Sequence, residues 1–463
     1  MSVDRLFELA SSHHREGRLD LAEGHYREVL AGDPDHWAAC YGLAQLLIRL
    51  DRFNEAIACL TPLLNREGDT AAVCRQLGLA EACAGRRLRS LRHFERALEY
   101  APDDATTAHL VANLQQALGM DEAAEASYRR ALKLRPLILI PAAVAPPDFR
   151  ALFVFAPGAG NTPIEYLVAN ARFESNVITV LADMDYDYDR LRGYADVVVN
   201  LVSDVDRGLA SLGPAEAFIA AIGSPVVNPP RLIAETSRES VARRLEHVPG
   251  CRVPQTRLYP AAALQALAAR GGEALSFPLL VRPAGSHGGE AFEKVEDLAQ
   301  LQAFLAKHVA GNYYLTPFVN YRSADGYFRK YRFVFVDDEI LPYHLAIDDK
   351  WKVHHVTTGM VDSAWMQAEE QAFLDDPWRV FGTAQREALQ AIRNAIGLDY
   401  FGIDCSLGRD GAIVVFEVNA SMLVHGNNQQ FPYKTEAVER IKRAFHAMLA
   451  RRVAACQVQR ERQ

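Results

Sequence analysis

A 34-residue period constrains the first third of this 463-residue chain more than any other feature. A helix-breaking residue closes each unit, a turn residue divides it, and small, aromatic and leucine residues recur at fixed places between them. The repeating sets are Pro34, Gly68, Pro102 and Pro136; Gly17, Asp51, Gly85 and Gly119; Ala10, Ala44, Gly78 and Ala112; Ala22, Ala56, Ser90 and Ala124; Tyr26, Leu60, Phe94 and Tyr128; Leu30, Leu64, Leu98 and Leu132. The pattern predicts two amphipathic helices per unit, with small residues where helices pack closely and aromatic residues in the grooves.

This pattern resembles the tetratricopeptide repeat. We place four units at about 3–36, 37–70, 71–104 and 105–138, which makes residues 1–138 an all-α solenoid. The resemblance implies that its concave face binds a peptide or a partner protein. The alternatives are a scaffold for the next domain or a dimerisation surface, which would make the protein a homodimer.

Composition excludes several classes of protein. Hydrophobic residues at 49% and charged residues at 23% are typical of a soluble protein with several cores. Fifty basic and 58 acidic residues give a formal charge of −8, which argues against a protein that coats nucleic acid or anionic membrane. Seven scattered cysteines, no secretory signal and no long apolar run indicate a cytoplasmic protein without a membrane span.

The remaining chain divides at a proline-rich stretch that we predict to be a linker, 139–149. Strands predicted at 151–155, 176–181 and 196–201 indicate a small α/β region over 150–230. A larger region, 231–450, precedes a short tail at 451–463.

Five features follow one another in the larger region. They are Thr236–Arg238 before a helix; a strand and glycine loop from Phe277 to Gly289; a hinge, Tyr313–Val319; a hairpin from Lys330 to Leu341; and the closing pair Tyr400–Asp404 and Val414–Asn419. In this order they resemble the ATP-grasp superfamily of carboxylate–amine ligases, most closely its glutathione synthetase and ribosomal-protein glutamate ligase branches. The resemblance implies an α/β pre-ATP-grasp region at 150–230 and an α+β ATP-grasp fold at 231–450.

The resemblance also implies a reaction. ATP phosphorylates a carboxylate, an amine attacks the acylphosphate, and an amide, ADP and phosphate result. Asp404, Glu417 and Asn419 would then hold two Mg²⁺ ions, with Mn²⁺ as an alternative, because such ions need hard oxygen ligands. Glu417 and Asn419 are spaced i, i+2 and therefore share one face of a strand. The alternative is three polar residues that cap loops at strand ends.

Further residues follow from the same resemblance. Arg282 and Arg332 would stabilise the transferring phosphoryl group and are the predicted catalytic residues. Arg238 and Arg282 stand where the family commonly has lysine, and only eight of the 50 basic residues are lysine. The hinge lacks the family's usual acid, which leaves backbone groups to contact adenine. The predicted ATP-binding residues are Arg238, Arg282, Gly285, Ser286, His287, Gly288, Gly289, Thr316, Phe318 and Val319.

The substrates are less constrained. His344, Lys352, His354 and Ser421 are predicted to face the carboxylate and amine substrates. A repeat domain joined to a ligase suggests a peptide, protein or amino-acid-like substrate, and hence a role in peptide modification or biosynthesis. Two alternatives stay open: a catalytically degenerate ATP-grasp adaptor that only binds nucleotide, and phosphoryl transfer without amide formation.

Overall fold

The computed structural model describes residues 1–65, 70–158, 160–271, 275–286, 291–353, 358–420, 422–426, 428 and 430–461. Two compact units divide the chain, Met1–Leu137 and Ile138–Gln463. Within the described part, no helix has the length and apolarity needed to cross a bilayer.

The first unit is built from paired helices. They are α1 Val3–Arg15, α2 Leu19–Gly32, α3 Trp37–Arg49, α4 Phe53–Leu60, α5 Thr70–Cys83, α6 Arg87–Tyr100, α7 Ala105–Ala117 and α8 Asp121–Leu134, with a 3₁₀ turn at Thr61–Asn65 after α4. The predicted turn residues have left-handed φ values of 77° at Gly17, 58° at Asp51, 77° at Gly85 and 73° at Gly119. This conformation costs glycine least and explains why the turn position is mostly glycine. Gly68 lies outside the described residues.

Glycine residues pack closely against aromatic rings in this unit. A Cβ atom on Gly78 would lie 2.5 Å from the Phe94 ring, and one on Gly42 would lie 2.7 Å from the Tyr26 ring. The alanines and the serine of the period are almost fully buried. Close packing of bulky rings against bare backbone therefore fixes the helix spacing in this unit.

The second unit contains three sheets. Its strands are β1 Ile138–Ile140, β2 Arg150–Phe155, β3 Glu174–Thr179, β4 Val197–Asn200, β5 Val226–Val227, β6 Cys251–Arg252, β7 Arg257–Pro260, β8 Leu279–Pro283, β9 Glu293–Val295, β10 Asn312–Pro317, β11 Phe328–Val336, β12 Glu339–Asp348, β13 Tyr400–Leu407 and β14 Ile413–Asn419. Its helices are α9 Glu165–Val168, α10 Tyr188–Arg192, α11 Val205–Ile222, α12 Pro230–Ile233, α13 Arg238–Leu245, α14 Ala261–Ala269, α15 Leu298–Lys307, α16 Ala364–Asp375, α17 Thr383–Ile396 and α18 Thr435–Glu461. Short 3₁₀ turns lie at Ala234–Thr236, Gly359–Asp362, Pro377–Arg379 and Pro432–Lys434.

The first sheet has the order β1-β3-β2-β4-β5, with β2 to β5 parallel and β1 antiparallel at the edge. The segment predicted as a linker thus begins with an edge strand. Apolar side chains of β2 and β4 share one core with α18, β11 and β13, in which Phe153, Val199 and Phe445 are almost fully buried. This core joins the first sheet to the third.

The second and third sheets flank the cleft described below. The second is antiparallel, in the order β7-β10-β8-β9, and packs with α14 and α15 around its own core. The third has the order β12-β11-β13-β14-β6. Strand β11 has two different faces, because Tyr331 and Phe333 pack against the rings of Phe373 and Phe381 while Lys330 and Arg332 turn the other way. The predicted class, a helical repeat solenoid followed by α/β and mixed regions, is confirmed.

Candidate functional site

A row of charged residues crosses the third sheet. Arg332 on β11 lies opposite Asp404 on β13, and Asp404 lies opposite Glu417 on β14. Directly opposed residues on adjacent strands bring their side chains together. The Arg332 guanidinium donates to both carboxylate oxygens of Asp404, from Nε at 2.5 Å and from Nη2 at 2.9 Å. Lys330 Nζ lies 3.2 Å from Oδ2 of the same carboxylate.

Glu417 receives its cation from outside the sheet. Arg238, the first residue of α13, donates from Nη2 to Glu417 Oε1 at 2.6 Å. Burial raises the pKa of Asp404, but Arg332 and Lys330 outweigh it and hold that pKa well below its usual range. Burial likewise raises the pKa of Glu417, and Arg238 leads the groups that bring it below its usual value. Both carboxylates are therefore ionised at neutral pH.

Asp404 and Glu417, with Asn419, can be compared with the needs of a divalent cation. The described residues hold no cluster of three or more His, Cys, Asp or Glu side chains with metal-binding geometry. Asn419 lies two residues beyond Glu417 on β14, so the set is two carboxylates and an amide, all oxygen donors. Mg²⁺ typically uses one or two carboxylates, phosphate oxygens and water. The residues fit that ion, provided that a phosphate supplies the remaining ligands.

A cleft of about 630 Å³ opens over this row, within the second unit. Six cationic side chains and three carboxylates line the described part of it, so positive charge is in excess. They are Arg207, Arg238, Arg282, Lys330, Arg332 and Lys352, with Asp204, Asp404 and Glu417. A confined excess of positive charge attracts polyanions.

Arg282 differs from the other arginines of the cleft. It lies on β8, and among the described residues no carboxylate forms an ion pair with it; its hydrogen bonds go to Ser286, at 3.2 Å to Oγ and also to the carbonyl oxygen. Burial, and then the nearby charge of Arg238, lower its pKa to about 10. It still carries its charge at neutral pH. A half-buried cation that forms no ion pair with a described carboxylate is suited to a bound anion.

The other end of the cleft is apolar. Val253, Pro254, Leu280 and Phe416 line it, together with the predicted hinge residues Thr316, Phe318 and Val319. The Thr316 hydroxyl lies 2.9 Å from that of Thr256. The Phe318 N–H donates to Pro278 O at 3.0 Å, so this amide is already used within the protein. Such a slot suits a flat aromatic ring.

The remaining predicted residues fall into three groups. Lys352 lines the cleft and donates to Phe292 O at 2.9 Å. His344 is not among the lining residues; it hydrogen-bonds to Glu370 and to Lys434 in a buried cluster. Burial lowers the pKa of His344 to about 4, so it is neutral at pH 7. His287, Gly288, Gly289, His354 and Ser421 lie outside the described residues.

Sequence reasoning missed three charged residues of the cleft, Lys330, Arg207 and Asp204. Lys330 precedes Arg332 by two positions, so the alternation of β11 places both on one face and could have indicated it. Arg207 and Asp204 come from the start of α11, and no local motif marks them. Their position depends on how the first sheet packs.

Comparisons with known proteins identify the first unit. Residues 13–77 and 105–136 match family models described as tetratricopeptide repeat. The first unit is a tetratricopeptide-repeat unit. No curated protein matches the chain.

Two solved structures align with parts of the chain. A MamA protein aligns at 18% identity over 29% of this chain and 73% of that one, with a TM-score of 0.28. The VanG D-Ala:D-Ser ligase from Enterococcus faecalis aligns at 14% identity over 66% of this chain and 99% of that one, with a TM-score of 0.40. At these scores the function has to be inferred from the side chains themselves.

Proposed function

We propose that the second unit is an ATP-dependent carboxylate–amine ligase of the ATP-grasp type. The observation that carries the proposal is the placement of charge in the cleft. Arg282, a half-buried arginine that forms no ion pair with a described carboxylate, lines the same cleft as two ionised carboxylates on adjacent strands, Asp404 and Glu417. A polyphosphate with a divalent cation satisfies both halves, since its oxygens meet the arginine and its cation meets the carboxylates.

The residues of the cleft would hold the nucleotide in place and neutralise the charge of its phosphates. The Asp404 carboxylate fixes the Arg332 guanidinium through two hydrogen bonds, so Arg332 needs no reorganisation when charge develops nearby. Arg282 would contact the α- and β-phosphates from the opposite sheet, and the apolar end of the cleft would take the purine. Asp404, Glu417 and Asn419 would hold Mg²⁺, which supplies charge neutralisation on the phosphates.

The proposed reaction is balanced as follows. A substrate carboxylate oxygen attacks the γ-phosphorus of ATP, and ADP leaves. The amine nitrogen then attacks the acyl carbon, phosphate leaves with the bonding electrons, and the nitrogen loses a proton to solvent. The repeat unit would bind a peptide or protein substrate or partner, because tetratricopeptide repeats bind such ligands generally.

Nucleotide binding and ADP release test this proposal separately. Wild type should bind a non-hydrolysable ATP analogue only with Mg²⁺, and Glu417→Gln should lose about 10-fold or more in calorimetric affinity. Glu436→Gln, which changes an exposed glutamate paired with Arg443, is the matched control and should bind normally. Sustained ADP release over many turnovers must then require both a carboxylate and an amine, because the first step alone can release only the ADP of one acylphosphate.

Other outcomes identify the alternatives. Binding without ADP release under any acid and amine would favour the nucleotide-binding adaptor, and a phosphorylated acid without a condensed product would favour simple phosphoryl transfer. Equal affinity in wild type and Glu417→Gln would remove the basis of the proposal.

A further inference from the structure

Two consecutive side chains at the start of α11 hold the main chain of a single glycine in the loop after β8. The Gly285 N–H donates to Asp206 Oδ2 at 3.2 Å. The Gly285 carbonyl oxygen accepts from Arg207, from Nε at 3.1 Å and from Nη2 at 2.8 Å. Gly285 has a φ of 73°, a conformation that other residues rarely adopt. Both polar groups of this one residue are thus fixed from a different sheet region.

The second oxygen of Asp206 reaches the strand beside the loop. Tyr314 on β10 donates its hydroxyl to Asp206 Oδ1 at 2.6 Å, and its side chain is almost fully buried. Tyr314 lies opposite Arg282 in the pairing of β10 with β8. The Arg238 guanidinium lies 5.9 Å from the centre of the Tyr314 ring. The Asp206 carboxylate therefore connects Gly285 to Tyr314, and Tyr314 lies beside both Arg282 and Arg238.

We propose that Asp206 and Arg207 form a clamp that positions the phosphate-binding loop and, through Tyr314, the arginines beside it. They act as positioning residues, because their contacts are to protein groups. The clamp makes nucleotide affinity depend on α11, which belongs to the first sheet region rather than to either sheet that flanks the cleft. Its effect on affinity rests on the proposed function; its effect on Gly285 does not.

Asp206→Asn tests the clamp directly. The asparagine keeps the size of the side chain but has one acceptor oxygen where the aspartate has two, so it cannot accept from both the Tyr314 hydroxyl and the Gly285 N–H. In the full-length protein without nucleotide, we expect hydrogen exchange in peptides containing Gly285 to accelerate about three- to thirty-fold. Affinity for the ATP analogue with Mg²⁺ should fall within the same range.

Companion variants separate a clamp from general loosening. Arg207→Met should also accelerate exchange at Gly285, and the double variant should add little, because both side chains hold the same residue. Tyr314→Phe removes only the hydroxyl and should weaken nucleotide binding while Gly285 exchange changes little. Asp189→Asn is the control, since Asp189 is 95% exposed and pairs only with Arg192 among the described residues; it should behave as wild type.

The results discriminate between the two proposals. Unchanged exchange at Gly285 in both Asp206→Asn and Arg207→Met overturns the clamp, even if nucleotide binds well. Faster exchange spread evenly over β8 and β10 also overturns it, because that result indicates loss of stability. Localised acceleration without any nucleotide binding by wild type would uphold the clamp and reject the ligase.

Discussion

The repeat unit and the cleft use the same guanidinium–carboxylate pair for different purposes. In the repeats, Arg27 and Arg52 bridge Glu23 and Glu55 at the surface, where the arginine side chains are 50% and 36% exposed. In the cleft, the Asp404 side chain is 9% exposed and Arg332 holds it by two bonds. Exposed pairs contribute little to stability, whereas removing one partner of a buried pair is strongly destabilising because the other charge is left buried and unpaired. Burial, rather than residue type, decides what a charge pair does.

The largest effect should come from filling a glycine of the repeats. Gly78→Leu would place a side chain where the Phe94 ring already lies, at 2.5 Å from a new Cβ. We expect a loss of at least about 3 kcal/mol in the free energy of unfolding, because a close-packed site cannot accept the added volume. Urea unfolding monitored through the repeat unit measures it.

Gly24→Ala is the matched control for that substitution. A Cβ on this helical glycine meets nothing within 4 Å. The change should raise stability by up to about 1 kcal/mol, because alanine is the better helix former. If both substitutions cost the same, ring packing is not what spaces the helices.

Low pH should destabilise the second unit because His344 is buried in a cluster with Glu370 and Lys434. The folded pKa of His344 is about 4 against an ordinary 6.5, mainly because the side chain is buried. Between these values the unfolded chain binds a proton that the folded protein excludes, so stability is complete above pH 6.5 and falls as the pH drops to 4. The loss is on the order of 3 kcal/mol.

Glu370 adds a second, more acidic loss. Burial raises the pKa of Glu370, but other groups, led by the hydrogen bond with His344, outweigh burial and bring this pKa to about 2. The ionised Glu370 therefore stabilises the fold fully above pH 4.5, and this contribution disappears as the pH falls toward 2. The urea concentration at the midpoint of unfolding should therefore decrease first between pH 6.5 and 4, where His344 titrates. His344→Gln should flatten that first slope; equal slopes in this variant and in the wild type would contradict the assignment.

Within the cleft, two arginines should separate stability from binding. Arg282→Met removes a half-buried cation that no described carboxylate pairs with, so the melting temperature should hold or rise while nucleotide affinity falls about 10- to 100-fold. Arg238→Met leaves Glu417 without its partner and should lower stability by about 1–2 kcal/mol, a limited cost because that carboxylate is 32% exposed. Calorimetry and thermal unfolding of both variants provide the measurements, and equal stability losses would refute the distinction.

The smallest effect should come from an exposed pair on α8. Glu125 contacts Arg129 at 2.7 Å, with the glutamate side chain 57% exposed. Glu125→Gln should cost about 0.3–0.5 kcal/mol, and less as salt is added. A cost near that of a buried pair would mean that exposure does not separate the two regions.

The repeats could be predicted because their information is local and repeated. The turn at Asp51 and the packing of Phe94 on Gly78 both follow from residues within one unit. In the second unit, β14 and the i, i+2 spacing of Glu417 and Asn419 were also predictable from a short pattern.

The partners of these side chains were not predictable. Arg238 reaches Glu417 across 179 residues, and Tyr314 reaches Asp206 across 108. Such contacts arise from the packing of whole sheets, which leaves no local signature. His344, which was predicted to face the substrates, is instead a buried, neutral member of an internal cluster. Whether the residues named for ATP and Mg²⁺ bind them stays a prediction.

The distribution of tryptophan has a practical consequence. Of the four in the chain, Trp351 lines the cleft, with its ring 5.6 Å from that of Phe292 and 5.8 Å from that of Phe318. The others lie elsewhere: Trp37 stacks on Tyr41 in the repeats, Trp365 contacts Tyr327, and Trp378 stacks on Phe333. Replacing these three with phenylalanine leaves one fluorophore at the cleft, so emission intensity would report occupancy in real time without any attached dye.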